Sequence, residues 1–319
     1  MKKKCRTICI VLFAFLLLPY IVTVLINGKS IDGNGDNSPF YVKVQVGDME
    51  KKVLWDEYLT GVVAKEIQPD YHEEMLKVQT IITRTNLYRK IEEKKDVVFS
   101  GEYMTRGDME KLWGKDNGRK IYKKLKKAVS DTEGKAILYK GKPASASFHQ
   151  LSNGKTRNGN EVLGGENYPY LKTKDCPKDI ENKWQLQTLE LSYEEVKEYC
   201  QPFLAAVDKK EAEKPFTKED FEIKQTDTAG YVTKVRIGKH IYAGEEFRNA
   251  LELPSSCFSF QESNGMLKIT TKGVGHGIGL SQHTANEMAK EGKTYEEILQ
   301  YFFEGTEIRE VAEILLNIE

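Results

Sequence analysis

The sequence predicts an α+β protein, with an N-terminal transmembrane helix followed by one mixed α/β-rich ectodomain whose strands are antiparallel. Three observations carry this. A basic cluster precedes a long apolar run at the very start of the chain. Beyond it the patterns run strand, helices, strands, helix, strands, helices, without the regular βα alternation of a doubly wound sheet. Apart from that start the composition is that of a globular domain, and the whole chain of 319 residues carries 48 Lys and Arg against 48 Asp and Glu. Zero formal net charge exerts no overall pull on nucleic acid, so no nucleic-acid partner is expected.

Lys2, Lys3, Lys4 and Arg6 precede the run Ile8 to Ile26, broken only by Pro19 and Thr23. Nineteen residues at about 1.5 Å each are enough to cross a hydrocarbon core of about 30 Å. The basic cluster keeps residues 1–7 cytoplasmic and sends the remainder of the chain outside. A cleaved signal peptide is the rival reading. The run is long for a signal core, however, and Asn27-Gly28-Lys29-Ser30 offers no small-x-small cleavage pattern. The expectation is a single-pass cell-membrane protein with an anchor at 8–26, a polar linker at 27–39 rich in Gly and Asn, and an extracytoplasmic domain at 40–319.

Within that domain, Tyr41-Val42-Lys43-Val44-Gln45-Val46 alternates with period two and reads as a strand. Asp56 to Ile67 reads as a helix that ends before Pro69, because the residue ahead of a proline is pushed out of the helical region. Its apolar stripe runs through Leu59, Val62 and Val63, and the next position on that ladder is Glu66. A carboxylate facing a core costs several kcal/mol if charged and unpaired. Glu66 is therefore paired, protonated or employed in chemistry.

A second helix runs from Asp70 or Tyr71 to about Glu93, with Met75, Val78 and Ile82 on one side and Gln79 and Arg84 as its conspicuous polar members. Residues 90–118 read as polar and irregular, and Ile121 to Val129 as a short basic surface helix. Ala136–Tyr139 and Ala144–Phe148 read as strands, and Ser192-Tyr193-Glu194-Glu195 as a capping box opening a helix to about Cys200. Strand patterns return at 221–224, 231–237, 258–261 and 266–271. Two more helices are expected, one from Ser281 to Glu291 and one after Thr294. The exported cysteines Cys176, Cys200 and Cys257 form no Cys-x-x-Cys pair, which leaves one disulfide or a reduced buried set as alternatives.

Two further clusters could carry chemistry. Gly273, Gly275, Gly277 and Gly279 alternate through a loop that holds His276 and runs on to Ser281, Gln282 and His283. Glycines so placed let backbone approach something closely. The spacing matches neither a dinucleotide loop nor a P-loop, and the His276–His283 gap fits no common metal spacing. The other cluster is His149-Gln150-Leu151-Ser152-Asn153-Gly154-Lys155-Thr156, a polar loop leaving an apolar strand. Ser152 lies outside any Gly-x-Ser-x-Gly elbow, so a ligand-facing loop is the better reading than a Ser/His hydrolase. His72 and His240 are isolated.

These clusters, in this order, resemble the stage II sporulation protein D (SpoIID) family. Tyr58-Leu59-Thr60-Gly61-Val62-Val63-Ala64-Lys65-Glu66 resembles the family's Tyr-Leu-x-Gly-Val-Val-x-x-Glu helix. Met75 to Thr85 resembles its Ala-Leu-Lys-Ala-Gln-Ala-x-x-x-Arg-Thr helix. His149 to Thr156 stands where the family has a His-Ser-Thr-Ser-Gly-Gly-Lys-Thr-like loop, and Gly273 to Gln282 where it has Gly-x-Gly-His-Gly-x-Gly-x-Ser-Gln. Phe247-Arg248 and Leu253-Pro254-Ser255-Ser256 match a further segment, and the likeness covers roughly residues 40 to 310.

The resemblance implies a membrane-anchored lytic transglycosylase cleaving MurNAc–GlcNAc bonds of peptidoglycan glycan strands in sporulation engulfment. Glu66 would be the catalytic acid, with Arg84, His149, Ser152, Lys155, Thr156, His276, Ser281 and Gln282 binding substrate. A partner amidase and other engulfment proteins are the implied partners. Some relatives bind zinc through a Cys/His loop. The corresponding stretch here, residues 97–106, has neither residue type, so no metal and no cofactor is expected. Gln150-Leu151 stands where Ser-Thr is usual, and Arg157 where Glu is usual after Lys-Thr. The alternatives are a non-catalytic glycan-binding member or amidase enhancer, and an unrelated exported hydrolase using the His149 loop.

Overall fold

The structure, a computed structural model, describes residues 40–94 and 96–311. The expected tail, anchor and linker (1–7, 8–26 and 27–39) lie outside the described residues. Among the described residues no helix is long and apolar enough to cross a membrane.

From Phe40 onward the chain forms helices and largely antiparallel sheets around two hydrophobic cores. Strand β1 (Tyr41–Val46) buries Val42 and Val44, as its alternation requires, and pairs antiparallel with β2 (Met49–Leu54). Helices α1 (Trp55–Glu66) and α2 (Glu73–Glu93) come next. His72, an isolated histidine in the sequence, is the N-cap of α2, its ring accepting from the Glu74 amide at 3.3 Å. Strand β3 (Val98–Ser100) adds parallel to β1, and α3 (Arg106–Trp113) and α4 (Lys115–Asp131) lie beyond it in the chain. These elements replace the irregular stretch expected over 90–118. Their apolar contribution is sparse and one-sided, with Met109, Ile121, Leu125 and Val129 inward and lysines outward.

Helix α2 is buried nearly all round, packed against α1, α4 and the strand β4 (Lys135–Tyr139). It is not the one-sided amphipathic helix that the sequence suggests. Its threonines and glutamine are core residues, and Thr80 and Thr85 are satisfied locally, donating to the carbonyls four residues back. Strand β5 (Lys142–Pro143) completes a hairpin with β4, and β6 (Phe148–His149) is shorter than the expected strand over 144–148. Asn86 takes over the strand's role there. Its side chain accepts from the Ala146 amide at 3.1 Å and donates to the Ala146 carbonyl at 2.9 Å.

Short helices α5 (Gly159–Leu163) and α6 (Pro177–Ile180) lead into the second core. It comprises β7 (Leu186–Leu191), α7 (Tyr193–Val207), α8 (Lys209–Ala212), the meander β8 (Phe221–Thr226), β9 (Val232–Ile237) and β10 (His240–Ala243), then α9 (Gly244–Ala250), β11 (Phe258–Ser263) and β12 (Met266–Lys272). Phe221, Phe247, Phe258 and Phe260 meet in tilted and edge-to-face pairs at its centre. The chain then returns to the first core through the glycine loop, β13 (Leu280–Ser281), α10 (Gln282–Lys290), α11 (Tyr295–Phe302) and β14 (Glu307–Glu310). Helices α10 and α11 also pack on α2. Cys176, Cys200 and Cys257 are buried free thiols, so these three described cysteines form no disulfide.

The glycines pack the loop onto its neighbour. At Gly275, φ is +109° and a Cβ would stand 2.7 Å from the His149 Cβ; at Gly277, φ is +77° and a Cβ would stand 2.5 Å from the Tyr231 ring. The loop thus lies directly on the His149 loop, bridged at Leu151–Val274 and Arg157–Ile278 and by parallel pairing of β6 with β13.

Candidate active site

Glu66 is the last residue of α1, where Ile67 turns to φ −128°, ψ 151° ahead of Pro69. Leu59 and Val63 on its stripe are buried, but the stripe leaves the core at the final turn, so Glu66 is only partly buried. Two residues one turn apart on α2 face it. Gln79 Nε2 donates to Glu66 Oε2 at 3.0 Å, and Thr83 Oγ1 donates to the same oxygen in a short hydrogen bond. From the start of α10, Gln282 Nε2 donates to the Glu66 carbonyl at 2.7 Å and to Gln79 Oε1 at 3.0 Å. With its oxygen engaged by Gln282, Gln79 must turn its NH2 towards the carboxyl group. Glu66 Oε1 accepts from no described residue, so one oxygen is held and the other is open.

Burial pushes the Glu66 carboxyl above its ordinary range, while the Thr83 and Gln79 hydrogen bonds and the Lys90 charge pull it back. Burial wins, which favours the protonated form. On the same helix the phenol of Tyr58 is pushed up, first by burial and then by the Glu66 charge, and it donates to the Ser100 carbonyl at 3.1 Å. The Glu66 carboxyl can therefore give a proton, and the same two donors stabilise the carboxylate that remains.

The Thr83 hydrogen bond has a measurable consequence. Activity that starts from protonated Glu66 falls as pH rises through the Glu66 pKa. Thr83→Val removes a donor to the ionised form and so raises that pKa, and the alkaline limb of kcat/KM should move to higher pH. An unmoved limb in a rate–pH profile would show that Thr83 does not act on the titrating group.

Of the eight expected substrate-binding residues, only Gln282 touches this group. Arg84, expected to bind substrate, is 1 % exposed and its guanidinium ties the end of α4 to the start of β4, Nη1 donating to Thr132 O at 2.5 Å and Lys135 O at 3.1 Å, and Nη2 to Val129 O at 3.1 Å. It does not pair with Glu66. Ser152 and Ser281 are buried on Asp179, whose carboxylate accepts from Ser152 N at 2.8 Å, Ser152 Oγ at 2.6 Å, Ser281 Oγ at 2.8 Å and Thr284 Oγ1 at 2.7 Å. Thr156 closes a turn, donating to Lys172 O and accepting from Lys174 N. Lys155 is exposed, near Asp175.

His149 is likewise expected to bind substrate. It is buried, its pKa is pushed down to about 3 chiefly by burial, and Nδ1 lies 3.2 Å from the Ile278 carbonyl. His276 packs 6.0 Å away from it, centroid to centroid, and its Nδ1 accepts from the Ile278 amide at 3.0 Å. Both serve the contact between the two loops. Arg157, unusual in its position, is buried over the Tyr231 ring and ion-paired with Asp227 at 2.5 Å and Glu245 at 3.1 Å, which ties the first core to the second. Among the described residues, no group of three or more His, Cys, Asp or Glu is placed to hold a metal ion.

A family model described as "Stage II sporulation protein" (SpoIID) matches residues 47–139. The stage II sporulation protein D of Bacillus subtilis (strain 168) is 34% identical over 275 residues, 82% of this chain and 76% of that protein. Its counterpart in Bacillus amyloliquefaciens is 30% identical over 280 residues, 82% of this chain and 75% of that protein. The chain belongs to the stage II sporulation protein D family. An amidase enhancer of Bacillus subtilis (strain 168) is similar at a greater distance, 24% identical over 292 residues, 78% of this chain but 40% of that protein. The SpoIID match takes in Glu66, Gln79, Thr83 and Arg84 and ends before the His149 and glycine loops.

Sequence reasoning missed Thr83 and Asp179. The signal for Thr83 was available, since Gln79 and Thr83 are four apart and share one helix face among apolar residues. Asp179 carried none: its four donors come from residues 27 to 105 positions away.

Proposed function

We propose that the protein is a lytic transglycosylase of peptidoglycan glycan strands, with Glu66 as its single acid and base. The observation that carries this is the state of its carboxyl group: partly buried, biased towards protonation, one oxygen held by neutral donors and the other open. Protonated Glu66 gives its proton to the oxygen between N-acetylmuramic acid and N-acetylglucosamine as the C1–O bond breaks. The carboxylate then takes the proton of the muramic C6 hydroxyl while that oxygen bonds to C1 and closes the 1,6-anhydro ring. Glu66 ends protonated, and no water is consumed, so the second carboxylate of an ordinary glycosidase is dispensable. The chemistry asks for no cofactor.

In this reading residues 8–26 hold the chain in the cell membrane, N-terminus inside, and residues 40–319 act on the wall outside. The family's name points to sporulation, and engulfment with a partner amidase is the setting proposed. Digestion in 18O-labelled water tests the reaction. The expected products carry no solvent oxygen at the new muramic end, whereas labelled reducing ends would mean hydrolysis. A second reading, a non-catalytic protein that binds glycan or stimulates an amidase, is favoured by the likeness to a protein named an amidase enhancer. It predicts no strand cleavage at all.

A further inference from the structure

We infer that the cleft walled by Gln68, Gln150, Asn182, Trp184 and His283 is a carbohydrate subsite, receiving a sugar ring of the glycan strand close to the bond that Glu66 cuts. The inference rests on the transglycosylase reading and adds where the strand lies.

The cleft has a volume of about 300 Å³. It adjoins the acid through the chain itself. Gln68 lies two residues after Glu66, and His283 is next to Gln282, whose amide holds the Glu66 carbonyl at 2.7 Å. Its walls are fixed in advance by Asp179. Ser152 belongs to the loop that carries Gln150, Thr284 to the helix that carries His283, and Asp179 itself lies three residues before Asn182. One fully buried carboxylate bonded to Ser152, Ser281 and Thr284 therefore pins three separate wall segments to one another. A satisfied buried network of this kind rigidifies what it joins, and a preformed site spares the ordering cost of binding.

The lining identifies the class of ligand. Trp184 is 54% exposed at the rim, and its backbone is held by Asn182 Oδ1, which accepts from the Trp184 amide at 2.9 Å. Lys183 Nζ sits over the indole at 5.3 Å, and the ring remains exposed enough to meet a ligand. The side-chain amides of Gln68 and Gln150 bond to no other described residue. Among the described residues Asn286 engages only its oxygen, accepting from the His72 amide at 2.8 Å. The charges around the cleft cancel, Asp70 and Glu287 against Lys183 and Lys290. A flat aromatic face beside uncharged amides suits a neutral ring with one C–H face and a rim of hydroxyl and acetamido groups, which is an N-acetylated pyranose.

The test uses the full-length protein carrying Glu66→Gln, so that glycan is bound and not cut. A peptide-free MurNAc–GlcNAc tetrasaccharide is titrated by calorimetry. Trp184→Ala in that background should weaken binding at least about tenfold with unchanged thermal unfolding, and Trp184→Phe should restore most of it. Equal affinity with and without the indole overturns the subsite, as does a Glu66→Gln protein with no affinity for the tetrasaccharide. The role of Glu66 is read separately, by cleavage. A Glu66→Gln protein that still cuts strands defeats the catalytic reading and leaves the Trp184 comparison standing on its own.

Discussion

Glu66→Gln should lower strand cleavage by roughly 10²- to 10⁴-fold, the usual contribution of a positioned general acid, with little change in thermal unfolding. The substituted amide keeps the size of the side chain, and its oxygen can still accept from Thr83 and Gln79. It has no proton to give at the glycosidic oxygen. A purely structural carboxylate would behave in the opposite way, with activity per folded molecule preserved and stability reduced. The structure removes one version of that alternative, because Arg84 points to the end of α4 and not to Glu66. Kinetics on peptide-free strands, with melting curves on the same preparations, separate the two cases. Glu66→Asp, one methylene shorter, should fall between wild type and Gln, since it keeps the acid and loses its reach.

Arg84→Met should cost about 3 kcal/mol or more of stability and lower Tm by several degrees. The guanidinium is buried at 1% exposure and answers the Val129 carbonyl in the last turn of α4, which has no partner within its own helix, together with the carbonyls of Thr132 at the helix end and of Lys135 at the start of β4. Cations belong at that end, where the helix dipole is negative. Methionine fills much of the volume and supplies no donor, so the Val129 and Lys135 carbonyls lose the guanidinium and the Thr132 carbonyl keeps only the Lys135 amide. Burial also drags the Arg84 pKa down, a sign of how completely it is desolvated. Denaturant unfolding measures the loss. Activity per folded molecule should survive; a raised KM with unchanged stability would instead return Arg84 to the substrate-binding role that the family likeness implies.

The parts of the fold visible in the sequence are those with strong local period. The alternation of 41–46 and the stripe of α1 read correctly, and the misfit of Glu66 on that stripe identified the group on which the proposed chemistry rests. What escaped has a physical reason. β2, Met-Glu-Lys-Lys-Val-Leu, is an exposed edge strand with nothing to alternate against a core. α3 and α4 hide a thin apolar seam among lysines. α2 is buried on every side, so one-sided periodicity misjudged it. Polar residues in loops were the least legible. Ser152, Thr156, His149 and Ser281 looked ready for a ligand because they can bond, and the fold spends those bonds internally, on Asp179 and on backbone carbonyls. Gln150, exposed, and His283, half-buried, belong to the same segments and line the cleft instead.

The central claim is that Glu66 drives a transglycosylation. Its most direct test is a paired digest of purified, stem-peptide-free glycan strands with full-length wild-type and Glu66→Gln protein, read by mass spectrometry. The expected result is 1,6-anhydro-muramic ends from the wild type and none above background from the variant. Equal yields from the two proteins, or reducing muramic ends from the wild type, would contradict it.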